Sequence, residues 1–191
     1  LGMKHTTFYP LQLKEARRAA GYIRNNENGQ YERTEVSEIF GKPESVPLGN
    51  GGLFSTAPDY ARFTQLLLGE GIYNGKRYLS DEAYSRLTTV VTGDLDCGFL
   101  QEAQYGSRGA NYGWGIGTCI LRAPHPGVAA MLSPGSFGHG GAWGTQAWID
   151  PVKGVAYILM IQRPGFNSDA SNIWWWGTGM FIGDGWQRFN L

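Results

Sequence analysis

The chain has 191 residues, with 16 basic and 16 acidic side chains and a formal net charge of zero. This length allows one domain with a sizeable core, and the balanced charge argues against a protein that binds nucleic acid or an acidic membrane surface. The 29 glycines and 7 tryptophans favour a loop-rich fold lined with aromatic side chains over a helical bundle.

Residue types that hold metals or form disulfides are scarce. His5, His125 and His139 are isolated and lack metal-ligand spacing, so the sequence predicts no metal and no cofactor. Cys97 and Cys119 are the two cysteines, and one pair does not indicate a disulfide framework, so their pairing stays open. No apolar run reaches the length needed to span a membrane.

The first predicted elements lie in the N-terminal third. Leu11–Ala20 has room for one or two helical turns. The pair Asn28-Gly29 stands between the short runs 21–25 and 30–35. Asn-Gly between two such runs predicts a β-hairpin.

A helix is predicted from the segment that follows Thr56. Its hydroxyl is placed to cap the N–H of Asp59, and the Asp59 carboxylate adds negative charge where the helix dipole favours it. Tyr60, Phe63 and Leu67 fall at i, i+3 and i+7, which predicts one buried stripe. Gly69 is expected to end this helix.

The middle of the chain predicts a second helix and a long loop. The helix begins at Ser80-Asp81-Glu82, with Ala83 and Leu87 on one face. Residues 90–109 have no strong period and are typical of a surface loop. The tail, 172–191, carries three consecutive tryptophans, but its internal glycines weaken the prediction of a helix packed on a sheet.

Three stretches in the C-terminal half predict strands: Tyr112–Leu121, Gln146–Ile149 and Val155–Gln162. Asp150-Pro151-Val152-Lys153-Gly154 predicts the turn that joins the last two into an antiparallel hairpin.

One stretch combines a high density of glycine with a histidine and a tryptophan: Gly138-His139-Gly140-Gly141-Ala142-Trp143-Gly144-Thr145. Glycines let backbone N–H groups come close to a ligand, and a histidine beside them donates a proton or binds an anion near neutral pH. One interpretation is the wall of an active site that offers backbone donors to a developing oxyanion. The other is a glycine-rich strand under a bulky aromatic core, and composition does not separate the two.

Four stretches together resemble the serine β-lactamase and penicillin-binding-protein-like hydrolases, which include class C β-lactamases, DD-peptidases and esterases. The stretches are 1–8, 51–63, 112–115, and His139-Gly140-Gly141 with the Asp150-Pro151 turn.

The resemblance implies an α/β (α+β) fold of the β-lactamase/transpeptidase type, a five-stranded antiparallel sheet flanked by helices. Residues 1–191 are expected to form a single domain, the C-terminal portion of that fold, which is incomplete at its N-terminal side. The chain is expected to supply three strands, near Tyr112–Leu121, Gly138–Ile149 and Val155–Gln162. Two strands and a helix of the family's N-terminal part are expected to be absent.

The resemblance also assigns the candidate site. His139-Gly140-Gly141 matches the family's Lys-Thr-Gly or His-Xaa-Gly triplet, with His139 catalytic and the glycines binding substrate. The Ala142 N–H is expected to be one of two oxyanion donors. Trp143 is expected to line the acyl pocket, although an ordinary core indole fits it as well.

The family's nucleophile is missing from the sequence. No serine is followed three positions later by lysine, no tyrosine begins a Tyr-Xaa-Asn triplet, and no Gly-Xaa-Ser-Xaa-Gly elbow replaces them. Three hypotheses remain. In the first, the chain is the C-terminal part of a serine hydrolase that acts on an ester, amide or β-lactam. In the second, it is an inactive truncated product that acts as a binding or assembly module. In the third, it is one half of a split enzyme.

Partners and location are likewise expectations from the resemblance. A periplasmic or secreted protein is implied, with a small acyl substrate once an N-terminal part completes the site. The sheet is expected to leave an open edge and an apolar face near Val155–Met160. We therefore expect a homo-oligomer, or pairing with the missing N-terminal segment, in place of a free monomer.

Overall fold

The computed structural model describes residues 1–9, 18–25, 27–34, 46–47, 49, 51–95, 111–124, 128–141 and 143–162. Several sequence predictions lie outside these residues. They are most of the helical turn at 11–20, most of the loop at 90–109 with Cys97, the donor residue Ala142 and the Trp-rich tail.

The predicted hairpin is confirmed. Strands β1 (Gly21–Arg24) and β2 (Tyr31–Thr34) pair antiparallel, with Gly21 opposite Thr34 and Arg24 opposite Tyr31. The side chain of Asn25 accepts a hydrogen bond from Glu27 N at 2.8 Å, and Gly29 adopts a φ of 72°, which suits glycine.

Helix α1 (Ala57–Leu68) begins and ends as predicted. Thr56 Oγ1 accepts from Asp59 N at 3.3 Å, and Gly69 is the C-cap residue. The predicted stripe is only partly right, because Leu67 is buried whereas Tyr60 and Phe63 are half-buried. Besides Leu67, the buried face includes three side chains that the apolar pattern missed: Ala61, Thr64 and Leu66.

The N-terminal segment is tied to the start of α1 by Asp59, which is 3% exposed. This carboxylate accepts hydrogen bonds from His5 N at 2.6 Å and from Thr6 Oγ1 at 3.1 Å. Thr7 and Phe54 exchange two backbone hydrogen bonds of 2.9 Å, which form an isolated antiparallel bridge. Residues far apart in the chain are therefore held at one helix N-terminus.

The two-residue strands β3 (Ile72–Tyr73) and β4 (Lys76–Arg77) form a small hairpin between the helices. Helix α2 (Asp81–Thr88) starts as predicted, with Ser80 Oγ accepting from Ala83 N at 3.1 Å. None of its residues is fully buried. It meets the main sheet through Tyr84, whose ring lies edge-on to Phe137 at 6.3 Å.

The main sheet has five strands in chain order, and every neighbouring pair is antiparallel. They are β5 (Tyr112–Trp114), β6 (Cys119–Leu121), β7 (Phe137–Gly140), β8 (Gln146–Asp150) and β9 (Val155–Leu159).

The prediction of three strands from this chain is wrong. The stretches 112–121 and 138–149 each fold back on themselves, because glycines with positive φ form turns inside them, Gly117 at 82° and Gly144 at 85°. The turn at 150–154 and the β8–β9 pairing are as predicted, although β9 ends at Leu159.

Each face of the sheet has its own core. On one face Ile120, Phe137, Ile149 and Ala156 pack with Leu67 of α1. On the other face Tyr112, Cys119, Leu121, Leu132 and Trp148 form an aromatic cluster, with Trp114 and Tyr157 packed against it. The helices thus support the sheet from the first face, and the second face carries the aromatic residues beside the candidate site.

Tyr60 makes the stability of α1 sensitive to high pH. Its ring lies edge-on to Phe63 at 5.6 Å, and burial raises the pKa of its phenol above the usual value of about 10. The unfolded chain ionises first, so stability is full below about pH 10 and is lost as pH rises toward the folded-state pKa. We expect Tyr60→Phe to reduce this alkaline loss, measured by urea unfolding between pH 9 and about pH 11.

Tyr78→Phe changes an exposed tyrosine and is the control for Tyr60. An unchanged alkaline loss in Tyr60→Phe would contradict the prediction.

Candidate functional site

The end of β7, at His139 and Gly140, has an open side. Strand β6 pairs with β7 only at Phe137 and Gly138, whereas β8 continues along β7 to Gly140. Within the described residues, β7 beyond Gly138 therefore has a strand neighbour on one side only. An edge of this kind offers backbone groups to a ligand.

A tight turn closes the end of this edge. Gly141 N donates to Thr145 O at 2.8 Å, and Gly144 N donates to Gly141 O at 2.9 Å. Ala142, the predicted oxyanion donor, is outside the described residues, so its role stays a prediction.

Packing against backbone requires glycine at position 138, whereas side chains crowd the space beside Gly140 and Gly141. A Cβ at Gly138 would collide with Ala147 O and lie 2.8 Å from Trp148 Cα. A Cβ at Gly140 would lie 2.6 Å from the amide nitrogen of Gln146, and one at Gly141 would overlap the hydroxyl of Thr145. Strand β8 thus fills the space on one side of the glycines, while the edge of β7 opens on the other.

His139 is an exposed residue of β7. Its Nδ1 contacts the carbonyl oxygen of Gly140. Because a carbonyl oxygen only accepts, this contact assigns the proton of the neutral ring to Nδ1 and makes Nε2 an acceptor. The imidazole also lies beside the indole of Trp114, with ring centroids 5.4 Å apart and planes at 38°.

Trp143 is half-buried and lies against the β1–β2 hairpin. Its Cζ3 would be 2.8 Å from a Cβ at Gly21, so a larger residue in β1 would displace the indole. Tyr22 N donates to Gln162 O at 3.0 Å, which joins the hairpin to the chain just after β9. This packing favours a structural contribution from Trp143, and its predicted place in an acyl pocket stays a prediction.

Two residues near the site had no role in the sequence prediction. Trp114 belongs to the Tyr-Gly-Trp-Gly stretch that carried part of the resemblance, and it contacts His139. Gln146 is 9% exposed, and its Oε1 accepts from Trp148 Nε1 at 3.1 Å. The contact of Trp114 with His139 depends on strand register, which a single sequence does not reveal, whereas Gln146 and Trp148 are two residues apart on the same face of β8.

Among the residues that the structure describes, no group of three or more His, Cys, Asp or Glu side chains is arranged to hold a metal ion. In the same part of the chain, neither helix has the length and apolar character needed to cross a bilayer.

Several known proteins are similar to this chain in sequence. Protein Rv1367c of Mycobacterium tuberculosis is 30% identical over 178 residues, which cover 89% of this chain and 42% of that protein. A protein of Salmonella newport is named as a candidate D-alanyl-D-alanine carboxypeptidase and is 27% identical over 177 residues. These residues cover 86% of this chain and 38% of that protein. The chain thus spans less than half the length of these relatives.

Solved structures share the fold. Simvastatin synthase (LovD) from Aspergillus terreus aligns over 87% of this chain and 41% of its own, with a TM-score of 0.62 and 21% identity. EstCE1, a hydrolase with promiscuous acyltransferase activity, aligns over 86% of this chain and 43% of its own, with a TM-score of 0.60 and 18% identity. These likenesses show a β-lactamase/transpeptidase-like fold.

The family model described as Beta-lactamase matches residues 1–176, which is most of the sequence. The sheet, the two capped helices and the His-Gly-Gly edge all lie within this match. The chain therefore belongs to the beta-lactamase family.

Proposed function

We propose that this chain supplies one wall of a serine-hydrolase site that transfers an acyl group to water from an ester, amide or β-lactam. The observation that supports it is the edge of β7, where His139 and Gly140 extend past the end of the β6 pairing and lead into Gly141. Backbone N–H groups at such an edge stabilise an oxyanion by hydrogen bonds that are strong in a water-poor site.

His139 is the ionisable side chain of this proposed wall. With its Nδ1 on the Gly140 carbonyl, the neutral ring presents Nε2 as an acceptor, and the protonated ring presents an N–H donor. Either state has a use in acyl transfer: the acceptor takes a proton, and the donor binds a carboxylate or a developing anion. The Ala142 N–H completes the proposed set as an oxyanion donor.

The nucleophile comes from outside these 191 residues in this proposal. Acyl-enzyme chemistry needs a hydroxyl, a base and the oxyanion donors within hydrogen-bond reach. The sequence contains no Ser-Xaa-Xaa-Lys motif. A segment of the same polypeptide, or a second chain, would bring the serine to the β7 edge.

The test is labelling with a fluorophosphonate probe. The 191-residue chain alone should gain no covalent mass at any serine. The same protein, tagged and captured from its native host, should contain a labelled serine in a Ser-Xaa-Xaa-Lys motif of a covalently joined or co-purified segment. His139→Ala should slow that labelling by about tenfold to a hundredfold, because a positioned acid or base contributes on that scale.

Two outcomes would overturn the proposal. Label on a serine of the isolated chain would identify a different nucleophile. Captured protein without any labelled serine would favour the other hypothesis, an inactive module that binds or assembles. Light scattering over a concentration series tests the proposed assembly, since a homo-oligomer or a paired segment raises the mass above 21.0 kDa.

A further inference from the structure

We propose that Trp114 is a positioning residue for His139 and fixes the orientation of the imidazole at the β7 edge. This inference rests on the proposed function only for its catalytic consequence. The contact itself, 5.4 Å between ring centroids with a tilt of 38°, belongs to the fold. A tilted aromatic pair at this separation is attractive.

The strand order explains how the two rings meet. Trp114 lies on β5 and His139 on β7, with β6 between them. Two strand spacings amount to roughly 9.6 Å, and the two side chains span this distance at the end of β6, where β7 beyond Gly138 has no β6 residue beside it. The row that includes Trp114 runs through Cys119 to Gly138, the residue that precedes His139.

The backbone of Trp114 is held on both sides. Trp114 pairs with Cys119 of β6 on one side. On the other side Trp114 O accepts from Val91 N at 2.7 Å, and Trp114 N donates to Thr92 Oγ1 at 3.3 Å. The backbone that carries the indole is therefore held by the sheet and by the segment after α2, and the indole itself packs against the aromatic cluster.

Two contacts of the imidazole act in different directions. The Gly140 carbonyl contacts Nδ1 at the ring edge, and the Trp114 indole lies beside the ring. The first fixes the tautomer, and the second opposes rotation about the Cα–Cβ bond. An exposed histidine with the first contact alone would sample several rotamers. Trp114 thus keeps Nε2 directed to one place, which lowers the entropy lost when an acyl group binds.

The direct test is NMR of the chain with ¹³C-labelled histidine. The protein has three histidines, and His139→Gln identifies the signals of residue 139. Wild-type protein should show nuclear Overhauser contacts between the His139 ring and the Trp114 indole, together with ring-current shifts of the imidazole protons. Absence of these contacts in wild-type protein would overturn the inference, whether or not any variant folds.

The variants separate positioning from folding. Trp114→Leu should move the His139 signals toward those of a free imidazole while the His5 signals stay in place, and Trp114→Phe should restore much of the shift. Trp148→Phe is the matched control, since Trp148 belongs to the same aromatic cluster and pairs with Gly138. Movement of His139 in Trp148→Phe equal to that in Trp114→Leu would contradict a specific role for Trp114.

The catalytic consequence is measured on the captured native protein. Trp114→Leu should slow fluorophosphonate labelling by about tenfold, with most of the rate restored in Trp114→Phe, because small misplacements of a catalytic group are costly. Unchanged labelling in Trp114→Leu, with shifted His139 signals, would overturn the positioning role. No labelling of wild-type protein would instead remove the proposed function and leave the NMR result standing.

Discussion

Gly138→Ala is expected to lower the free energy of unfolding by about 3 kcal/mol, because the added methyl collides with the backbone of β8. The nearest atoms are Ala147 O and, at 2.8 Å from the new Cβ, Trp148 Cα. Both belong to a fully paired inner strand, so neither moves without breaking the ladder with β7 or β9. Urea unfolding followed by tryptophan fluorescence measures the loss.

The matched control for Gly138 is Gly51→Ala. Gly51 has no atom within 4 Å of a new Cβ, and its φ is not positive. We expect its free energy of unfolding to stay within about 0.5 kcal/mol of the wild type. Equal stability of the two variants would mean that β7 and β8 are farther apart than the structure places them.

Asp59→Ala is expected to cost about 2–3 kcal/mol, since it removes a buried charged acceptor from two donors. His5 N and Thr6 Oγ1 each lose one hydrogen bond, and Arg62 loses an ion pair of 3.5 Å. The N-terminus of α1 also loses a negative charge that its dipole favours. The N-terminal segment should also become accessible to proteases. Limited proteolysis and hydrogen exchange at residues 4–7 measure this local release alongside the global stability.

Asp81→Ala is the control for Asp59. Both aspartates lie in the first turn of a helix, but the Asp81 side chain is 91% exposed and its ion pair with Arg77 is at the surface. Its loss should cost less than about 1 kcal/mol. Similar costs for the two variants would show that the helix dipole, and not the hydrogen bonds of Asp59, provides the stabilisation.

Local chemistry made the helices predictable. Thr56 and Ser80 each precede a run of helix-forming residues, and each accepts a hydrogen bond from the N–H three residues later. Such signals act within one turn, so a sequence contains all of the information. The hydrogen bonds of the buried Asp59 carboxylate were not predictable in the same way, because its partners His5 and Thr6 are some fifty residues away in the sequence.

The number of strands was mispredicted for a related reason. An apolar run interrupted by Gly115 and Gly117 fits one irregular strand as well as a tight hairpin. Whether this run forms one strand or two depends on the free energy of pairing with β7, and hydrophobic periodicity does not report that free energy. The resemblance favoured one strand at each place, whereas the positive φ of Gly117 and Gly144 makes two.

The candidate site was predictable in its residues but not in its contacts. The triplet His139-Gly140-Gly141 was recognisable through the family resemblance, and its catalytic roles stay predictions. Two contacts follow from how β5 to β8 are arranged. Gly140 and Gly141 lie beside Gln146 and Thr145, and Trp114 contacts His139. Register is a long-range property, so these contacts were absent from the sequence prediction.

The order of the main sheet has a kinetic consequence. Strands β5 to β9 are neighbours in space in the same order as in the chain, so every strand pairing joins residues of low sequence separation. Folding rates rise as the mean separation of contacting residues falls, because short loops lose little entropy on closing. The meander is therefore able to nucleate by itself, with the docking of α1 and the N-terminal segment as the slower, long-range step.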